Sequence, residues 1–297
     1  MNFSQIENFI QAAESLSFSE AAKRLFISQS ALSRSIISIE TELNMQLFIR
    51  ENNKIRLTPA GKVLLEGFKE VRYTYNHWLE QAQIAHRGIE GTLRIGLLEE
   101  QMLEDEVFQA FNEFRLKYPS IQLIISKNSF SNLQSGLMDG ELDMMLSLEH
   151  AFFNHPEWES LFIKEHRLNL VVRKGNPLAE LDEIDLCRFP DLLKNQVMLG
   201  IDYQESKESF DIMHEDFKSV NFHPNYKFAP SAGLLALWVE SGIGVTVFND
   251  NHALVSDPRI AFIPIRNIRS SCTYIGWNRN FQNPCVDKFL EVLKHSL

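Results

Sequence analysis

The sequence is poor in the features that mark several functional classes. Its 3 cysteines, Cys187, Cys272 and Cys285, lie far apart without a C-x-x-C, so it holds neither a disulfide framework nor a thiolate zinc site. Buried thiols are expected, and a redox switch at Cys272 and Cys285, the nearest pair, is the lesser alternative. No run approaches the roughly 18 apolar residues of a membrane helix, and MNFSQIENFIQAAES has no basic leader ahead of an apolar core. The expected location is the cytoplasm, with no membrane partner. Also missing are G-x-S-x-G, a P-loop and H-E-x-x-H, while Gly242-x-Gly244 lacks a phosphate-binding context and the 9 histidines are scattered. No enzyme, metal site or cofactor is expected.

An excess of positive charge is missing too. The net charge of -10 argues against a nucleic-acid partner until its distribution is read. Residues 1 to 90 carry equal numbers of basic and acidic side chains, so the whole excess belongs to the remainder. Between Lys23 and Arg72 basic residues outnumber acidic ones. A locally basic head precedes an acidic body, and only the head need meet DNA. With 44% hydrophobic residues, the 297-residue chain has room for one small and one larger domain.

The head is organised around Ser17 to Asn44, SFSEAAKRLFISQSALSRSIISIETELN. Before it, Ile6, Phe9, Ile10, Ala13 and Leu16 form the apolar stripe of a helix over 4–16, with Ser4 and Glu7 spaced as a capping box. Ser17 and Glu20 repeat that spacing ahead of a short second helix, and Ser28 caps a third. Leu32, Ile36, Ile39 and Leu43 share one face of the third helix, which leaves Gln29, Ser30, Ser33 and Arg34 opposite. That polar face begins at the helix N-terminus, where a recognition helix presents its base-reading groups. Gln and Arg suit adenine and guanine edges, and Ser suits base or phosphate. Ile37 falls among them and fits a thymine methyl or a packing contact.

Gln46 to Arg50 and Lys54 to Thr58 flank a Glu-Asn-Asn turn and read as a hairpin projecting Arg50, Lys54 and Arg56 together, a wing for phosphates or the minor groove. Thr58 and Pro59 then open a helix over 59–87, about 43 Å long. Leu64, Phe68, Val71, Tyr75, Trp78, Ala82 and Ala85 alternate steps of four and three along it, a coiled-coil seam that predicts dimerisation.

Past Gly88 and Gly91 the pattern changes to strands alternating with helices, which predicts parallel α/β layering. Strands are expected at 92–98, 121–126 and 143–148. The helix at 102–117 should turn Val107, Phe108, Phe111 and Phe114 inward, and 133–138 is helical. A second unit has strands at 168–173, 196–201, 243–248 and 260–265 and a helix at 231–241. The segment 272–277 and the helix 285–295 return to the first unit. Two such lobes leave a cleft where ligands bind.

In this order, the stretch 17–44, LF-x-R at Leu47 to Arg50, R-L-T-x-A-G at Arg56 to Gly61, TLRIG at 92–96, GELDMML at 140–146, NPLA at 176–179 and ESGIGV at 240–245 make the chain resemble the LysR-type transcriptional regulators over essentially its full length. The resemblance implies an α/β protein overall. An all-α winged helix-turn-helix at 1–58 and a long linker helix at 59–90 for dimerisation would precede a two-lobed, periplasmic-binding-protein-like effector domain at 91–297. Lobe I would take about 91–161 and 267–297, and lobe II about 162–266. It implies DNA contacts by Gln29, Ser30, Ser33 and Arg34 in the major groove and by Arg50, Lys54 and Arg56 on the wing. The partners implied are double-stranded DNA at a dyad-symmetric operator, a small-molecule effector, RNA polymerase, and further copies in a homodimer or homotetramer.

Two departures concern the head: Asn44 stands where the family usually has Gly, and Ile37 where a polar or basic residue is common. In the cleft, a Ser or Thr after the first effector-domain strand is replaced by Glu99, Glu100 and Gln101 following Leu98. Two carboxylates there predict a neutral or amine-bearing effector rather than a simple acid. Asn128, Ser129, Ser147, Asp202 and Ser231 complete the candidate effector-binding residues, with Ser231 capping a helix whose amides favour anions. The alternative is a solute-binding-type ligand sensor whose N-terminal region serves interaction rather than DNA reading.

Overall fold

The computed structural model describes residues 1–51, 54–87, 91–187, 193–202, 207–220, 222–280 and 283–297; the side chains of residues 50, 51, 54, 77, 80, 81 and 83–87 lie outside the description. The chain divides into two compact units, residues 1–88 and 89–297, each with its own hydrophobic core.

In the first unit, α1 (Phe3–Ser15) buries Ile6, Phe9, Ile10, Ala12 and Ala13. Its capping box is Asn2 with Gln5, not Ser4 with Glu7, so the helix begins ahead of the expected start. Asn2 Oδ1 accepts from the Gln5 amide at 2.9 Å, and Gln5 Oε1 accepts from the Asn2 amide at 2.8 Å. Ser17 caps α2 (Phe18–Arg24) with only half a box, because Glu20 turns outward to Lys23 at 2.8 Å. Ser28 caps α3 (Gln29–Leu43), where Leu32, Ile36 and Ile39 are fully buried, each contributing about 1.5–3 kcal/mol. Asn44 ends α3 at φ 49° and ψ 40°, the left-handed conformation that Asn tolerates in place of Gly.

The strands β1 (Phe48–Glu51) and β2 (Lys54–Leu57) pair as an antiparallel hairpin. Glu40 fastens it to α3, its carboxylate accepting from the amides of Leu47 at 2.7 Å and Phe48 at 3.0 Å. The register sets position 50 opposite 55 and position 56 opposite 49, so position 50 shares a face with 48 and 55, and positions 54 and 56 share the other. The expected common projection of Arg50 with Lys54 and Arg56 is thereby corrected.

The helix α4 (Pro59–Arg87) has the predicted limits, with Thr58 Oγ1 accepting from the Gly61 amide at 2.9 Å. Gly61 is required by contact: a Cβ there would stand 2.3 Å from the Leu47 carbonyl oxygen. The first part of the expected seam serves this unit instead. Phe68 is buried edge-on against Phe9 at 5.4 Å, and Leu64 packs on the same core. Beyond them Tyr75 touches Phe3 at 4.1 Å, while Val71, Trp78 and Ala82 are exposed, Trp78 by 66%. The Ala85 side chain lies outside the described residues.

The second unit runs β3 (Gly91–Leu98), α5 (Asp105–Lys117), β4 (Ile121–Asn128), α6 (Phe130–Met138), β5 (Met144–Leu148) and β6 (Trp158–His166), then crosses to β7 (Leu168–Arg173). After β8 (Ile184–Asp185) come β9 (Val197–Ile201), α7 (Lys207–Ser219), β10 (Asn225–Ala229), α8 (Ala232–Glu240), β11 (Thr246–Asn249) and β12 (Ile260–Arg266). The chain returns through β13 (Ser271–Asn278) and α9 (Pro284–Ser296). One sheet has the order β4-β3-β5-β13-β6 and the other β11-β7-β12-β8, with β9 and β10 as a separate parallel pair.

The expected parallel layering holds for β3 with β4 and β5, but β13 is antiparallel to β5 and β6, and β7 is antiparallel to β11 and β12. Since β6 belongs to the first sheet as far as His166, that lobe extends past the boundary expected at 161. Helix α5 starts at Asp105 rather than 102 because Gln101 bridges to His252 and the Met102 amide donates to the Asn251 carbonyl. Its Ala110 takes the inward place expected for Phe108, which is 56% exposed. None of the three cysteines is in a disulfide; Cys285 is buried, but Cys187 is exposed, against expectation.

Candidate functional site

Two surfaces collect the chemistry that the sequence singles out. On α3 the outer side chains Gln29, Ser30 and Arg34 are exposed and Ser33 is half-buried. Gln29 is steadied by α2, its Oε1 accepting from Ser19 Oγ at 3.1 Å, and Ser30 Oγ lies 3.1 Å from Ser28 Oγ. The N-terminal amides of α3 share this face and add the positive end of the helix dipole. Ile37 is exposed on the same helix, and Arg56 is exposed on β2. The side chains of Arg50 and Lys54 lie outside the described residues. Sequence reasoning missed Phe26, in the turn between α2 and α3, which is 97% exposed at φ 54°.

The second surface is a cleft of about 260 Å³ inside the second unit, walled by both sheet systems and by the chain crossing between β12 and β13. Its charged lining is Glu99, Glu100, Glu149 and Asp216 against Arg269, which donates to Asp216 Oδ1 at 2.7 Å. Burial pushes the carboxyls of Glu149 and Asp216 upward, and Arg269 opposes the rise in both. His150 stacks on Phe130 and meets Ser209 Oγ at 2.5 Å, and His252 stacks on Phe248 at 3.7 Å. Burial lowers both imidazoles to about 4, so neither carries charge near neutrality. Among the described residues no group of three or more His, Cys, Asp or Glu side chains is placed to hold a metal ion.

Residues 3–62 match the family model for bacterial regulatory helix-turn-helix proteins of the lysR family. Residues 86–297, well over half the chain, match the LysR substrate binding domain. The chain belongs to the LysR family. It is a DNA-binding transcriptional regulator with an effector domain.

Among relatives, it is 24% identical over 298 residues to the transcriptional regulator AlsR of Bacillus subtilis, covering 98% of this chain and 95% of that protein. It is 26% identical over 297 residues to XapR of Escherichia coli, covering 96% and 95%. Full-length CbnR, solved in complex with its target DNA, superimposes over 100% of both chains with a TM-score of 0.64 at 22% identity, which supports the shared fold.

Within this LysR-family chain the cleft gathers Glu99, Glu100, Gln101, Ser129 and Ser231 from the expected set. Ser129 caps α6 and Ser231 caps α8, through the amides of Asn132 and Leu234. Asn128, Ser147 and Asp202 are not in its wall. Asn128 donates to Ser126 Oγ at 2.8 Å, Ser147 is buried within β5, and Asp202 is exposed with its amide on the Ala229 carbonyl. Helix α7, which brings Ser209, Phe210 and Asp216 to the cleft, was missed. Phe210, Met213 and Phe217, at i, i+3 and i+7, are the signal that betrays it.

Proposed function

We propose that two copies of this regulator read dyad-related half-sites through paired α3 helices, with Gln29, Ser30, Ser33 and Arg34 in the major groove. Lys54 and Arg56 follow the phosphate backbone from one face of the hairpin, and Arg50 reaches it from the other. The copies join along the exposed part of α4, through Val71, Tyr75, Trp78, Ala82 and Ala85, and the dimers pair into a tetramer. An effector in the cleft of the second unit binds the two arrangements of the assembly unequally and so alters operator geometry and contact with RNA polymerase. Its role is regulatory rather than catalytic, and its place is the cytoplasm; no helix among the described residues is long and apolar enough to cross a membrane.

The observation that carries this reading is the division of α3. Leu32, Ile36 and Ile39 are wholly buried, while Gln29, Ser30 and Arg34 stand exposed at its N-terminal end. Gel-shift titration on genomic sites recovered by mapping bound DNA tests it. Arg34→Ala should cost about 1–3 kcal/mol and relax sequence preference. Lys54→Ala should weaken all sequences alike and reduce the salt slope by about 1. Parental binding by both variants would reject this DNA surface.

A further inference from the structure

Between the end of β3 and the start of α8 the chain places a charge that decides what the cleft can admit. Glu100 sits in the left-handed region at φ 61°, held by its carbonyl, which accepts from the Ala253 amide at 2.7 Å. Glutamate rarely adopts that conformation, so the surrounding hydrogen bonds fix where its side chain leaves the backbone. A Cβ built on Gly233, in the first turn of α8, would lie 3.9 Å from Glu100 Oε1. The carboxylate therefore rests against the helix end that would otherwise welcome an anion.

The rest of the lining agrees. Arg269, the one cation among the described lining residues, is committed to Asp216. Glu99 and Glu149 add negative charge, and the two buried imidazoles add no compensating one. A second observation is independent of charge. The Asp216 side chain is only 10% exposed, and its Oδ2 has no hydrogen-bond partner among the described residues; neither does the buried Gln101 Oε1. Both residues line the cleft, these two oxygens are shut within its wall, and buried acceptors without donors are costly. A ligand rich in N–H groups satisfies them once the two side chains turn toward it, whereas a carboxylate brings only more acceptors. Phe210, Leu235, Phe248 and Ile201 supply apolar surface for the remainder of such a molecule.

We propose that the cleft takes a small organic cation, a primary amine or guanidine on a compact apolar body, and that Glu100 is the group that turns acids away. The inference rests on the cleft being the effector site. An ammonium offers donors to the Glu100 carboxylate, and its charge offsets the negative lining. The volume of about 260 Å³ suits a body no larger than an aromatic ring or a short alkyl chain.

Isothermal titration of the full-length protein with matched probes tests this: phenethylamine, hexylamine and butylguanidine against phenylpropionate, hexanoate and pentanoate, with phenylethanol as the neutral control. At least one cation should bind, with its matched acid at least a hundredfold weaker. Glu100→Gln should weaken that cation about tenfold or more and bring the acid within tenfold of it. If Glu100→Gln lowers the melting temperature too far to titrate, Asp216→Asn replaces it; by removing a carboxylate and releasing Arg269 it should weaken the cation about tenfold or more and narrow its advantage over the matched acid. An acid that binds the parent as tightly as its amine overturns the proposal. So does failure of every cation to bind a preparation that shifts operator DNA. Cation binding by a preparation that shifts no DNA defeats the regulator reading instead and upholds this one.

Discussion

The outer face of α3 and the cleft of the second unit are both polar surfaces, yet they are assembled in opposite ways. Gln29, Ser30 and Arg34 lie within a turn and a half of one helix, so their arrangement follows once that helix forms and buries its other side. Glu100, His150, Asp216 and Arg269 come from four separate segments and meet only when both sheet systems are in place. A local surface depends on the packing and capping of one element. A composite surface depends on every crossing that brings its walls together.

The strongest way to break that contrast is to empty the core beneath α3. Leu32 is fully buried in the first unit, so Leu32→Ala should cost about 2–5 kcal/mol. A melting experiment that follows the two units separately should show the first unit falling and the second unchanged, with operator binding lost. Equal loss in both transitions would show that the units do not fold on their own cores. The counterpart in the second unit is Gly244→Ala. A Cβ there would stand 2.4 Å from the Val197 carbonyl oxygen and 2.9 Å from Leu199, whose strand walls the cleft. Overpacking of this kind costs about 1–3 kcal/mol. The second unit should melt earlier while the first keeps its transition; an unchanged second transition would mean that β9 shifts freely.

Ser28→Ala removes the cap whose hydroxyl accepts from the Ala31 amide at 3.2 Å. It should cost about 1 kcal/mol and weaken DNA binding without disturbing cleft binding. A variant that binds DNA as the parent does would separate the polar face from its cap.

These surfaces also differ in how much of each is visible before folding. The α3 face follows from helical spacing and a cap, both local, and Leu32, Ile36 and Ile39 lie where the period places them. The same reasoning misplaced the seam at Leu64 and Phe68, because an apolar stripe does not say whether a partner copy or the chain's own core will cover it. In the cleft, residues next to strand and helix ends were legible: Glu99, Glu100, Gln101, Ser129 and Ser231 follow from where β3 ends and where α6 and α8 begin. His150, Asp216 and Arg269 were not, because their positions depend on how α7 and the chain between β12 and β13 return to the cleft. Strand direction was hidden for the same reason: periodicity finds β7, β11 and β12 but carries no record of their antiparallel pairing.

The smallest predicted effect is confined to the composite unit and so sharpens the contrast. At the crossing between β6 and β7, His166 is buried between Glu104 of the first lobe, 2.8 Å from Nε2, and Asp250 beyond β11, 2.9 Å from Nδ1. Lys164 stands 3.6 Å from the other oxygen of Glu104, and Asn251 donates to Glu104 at 2.8 Å. Burial alone would lower the imidazole, but hydrogen bonds and charge from Glu104 and then Asp250 outweigh it and hold it above the ordinary 6.5. A folded value above the unfolded one means that the protonated ring stabilises the fold fully below about 6.5 and loses that contribution as pH rises through the folded value. One proton is involved, so the slope cannot exceed about 1.4 kcal/mol per pH unit. Urea midpoints of the second unit between about pH 6 and 9 should fall in the parent relative to His166→Gln, while the first unit shows no such difference. Parallel curves for parent and variant would mean that folding leaves the proton affinity of His166 unchanged, and a parent that gains stability with rising pH would mean that the folded ring is held neutral.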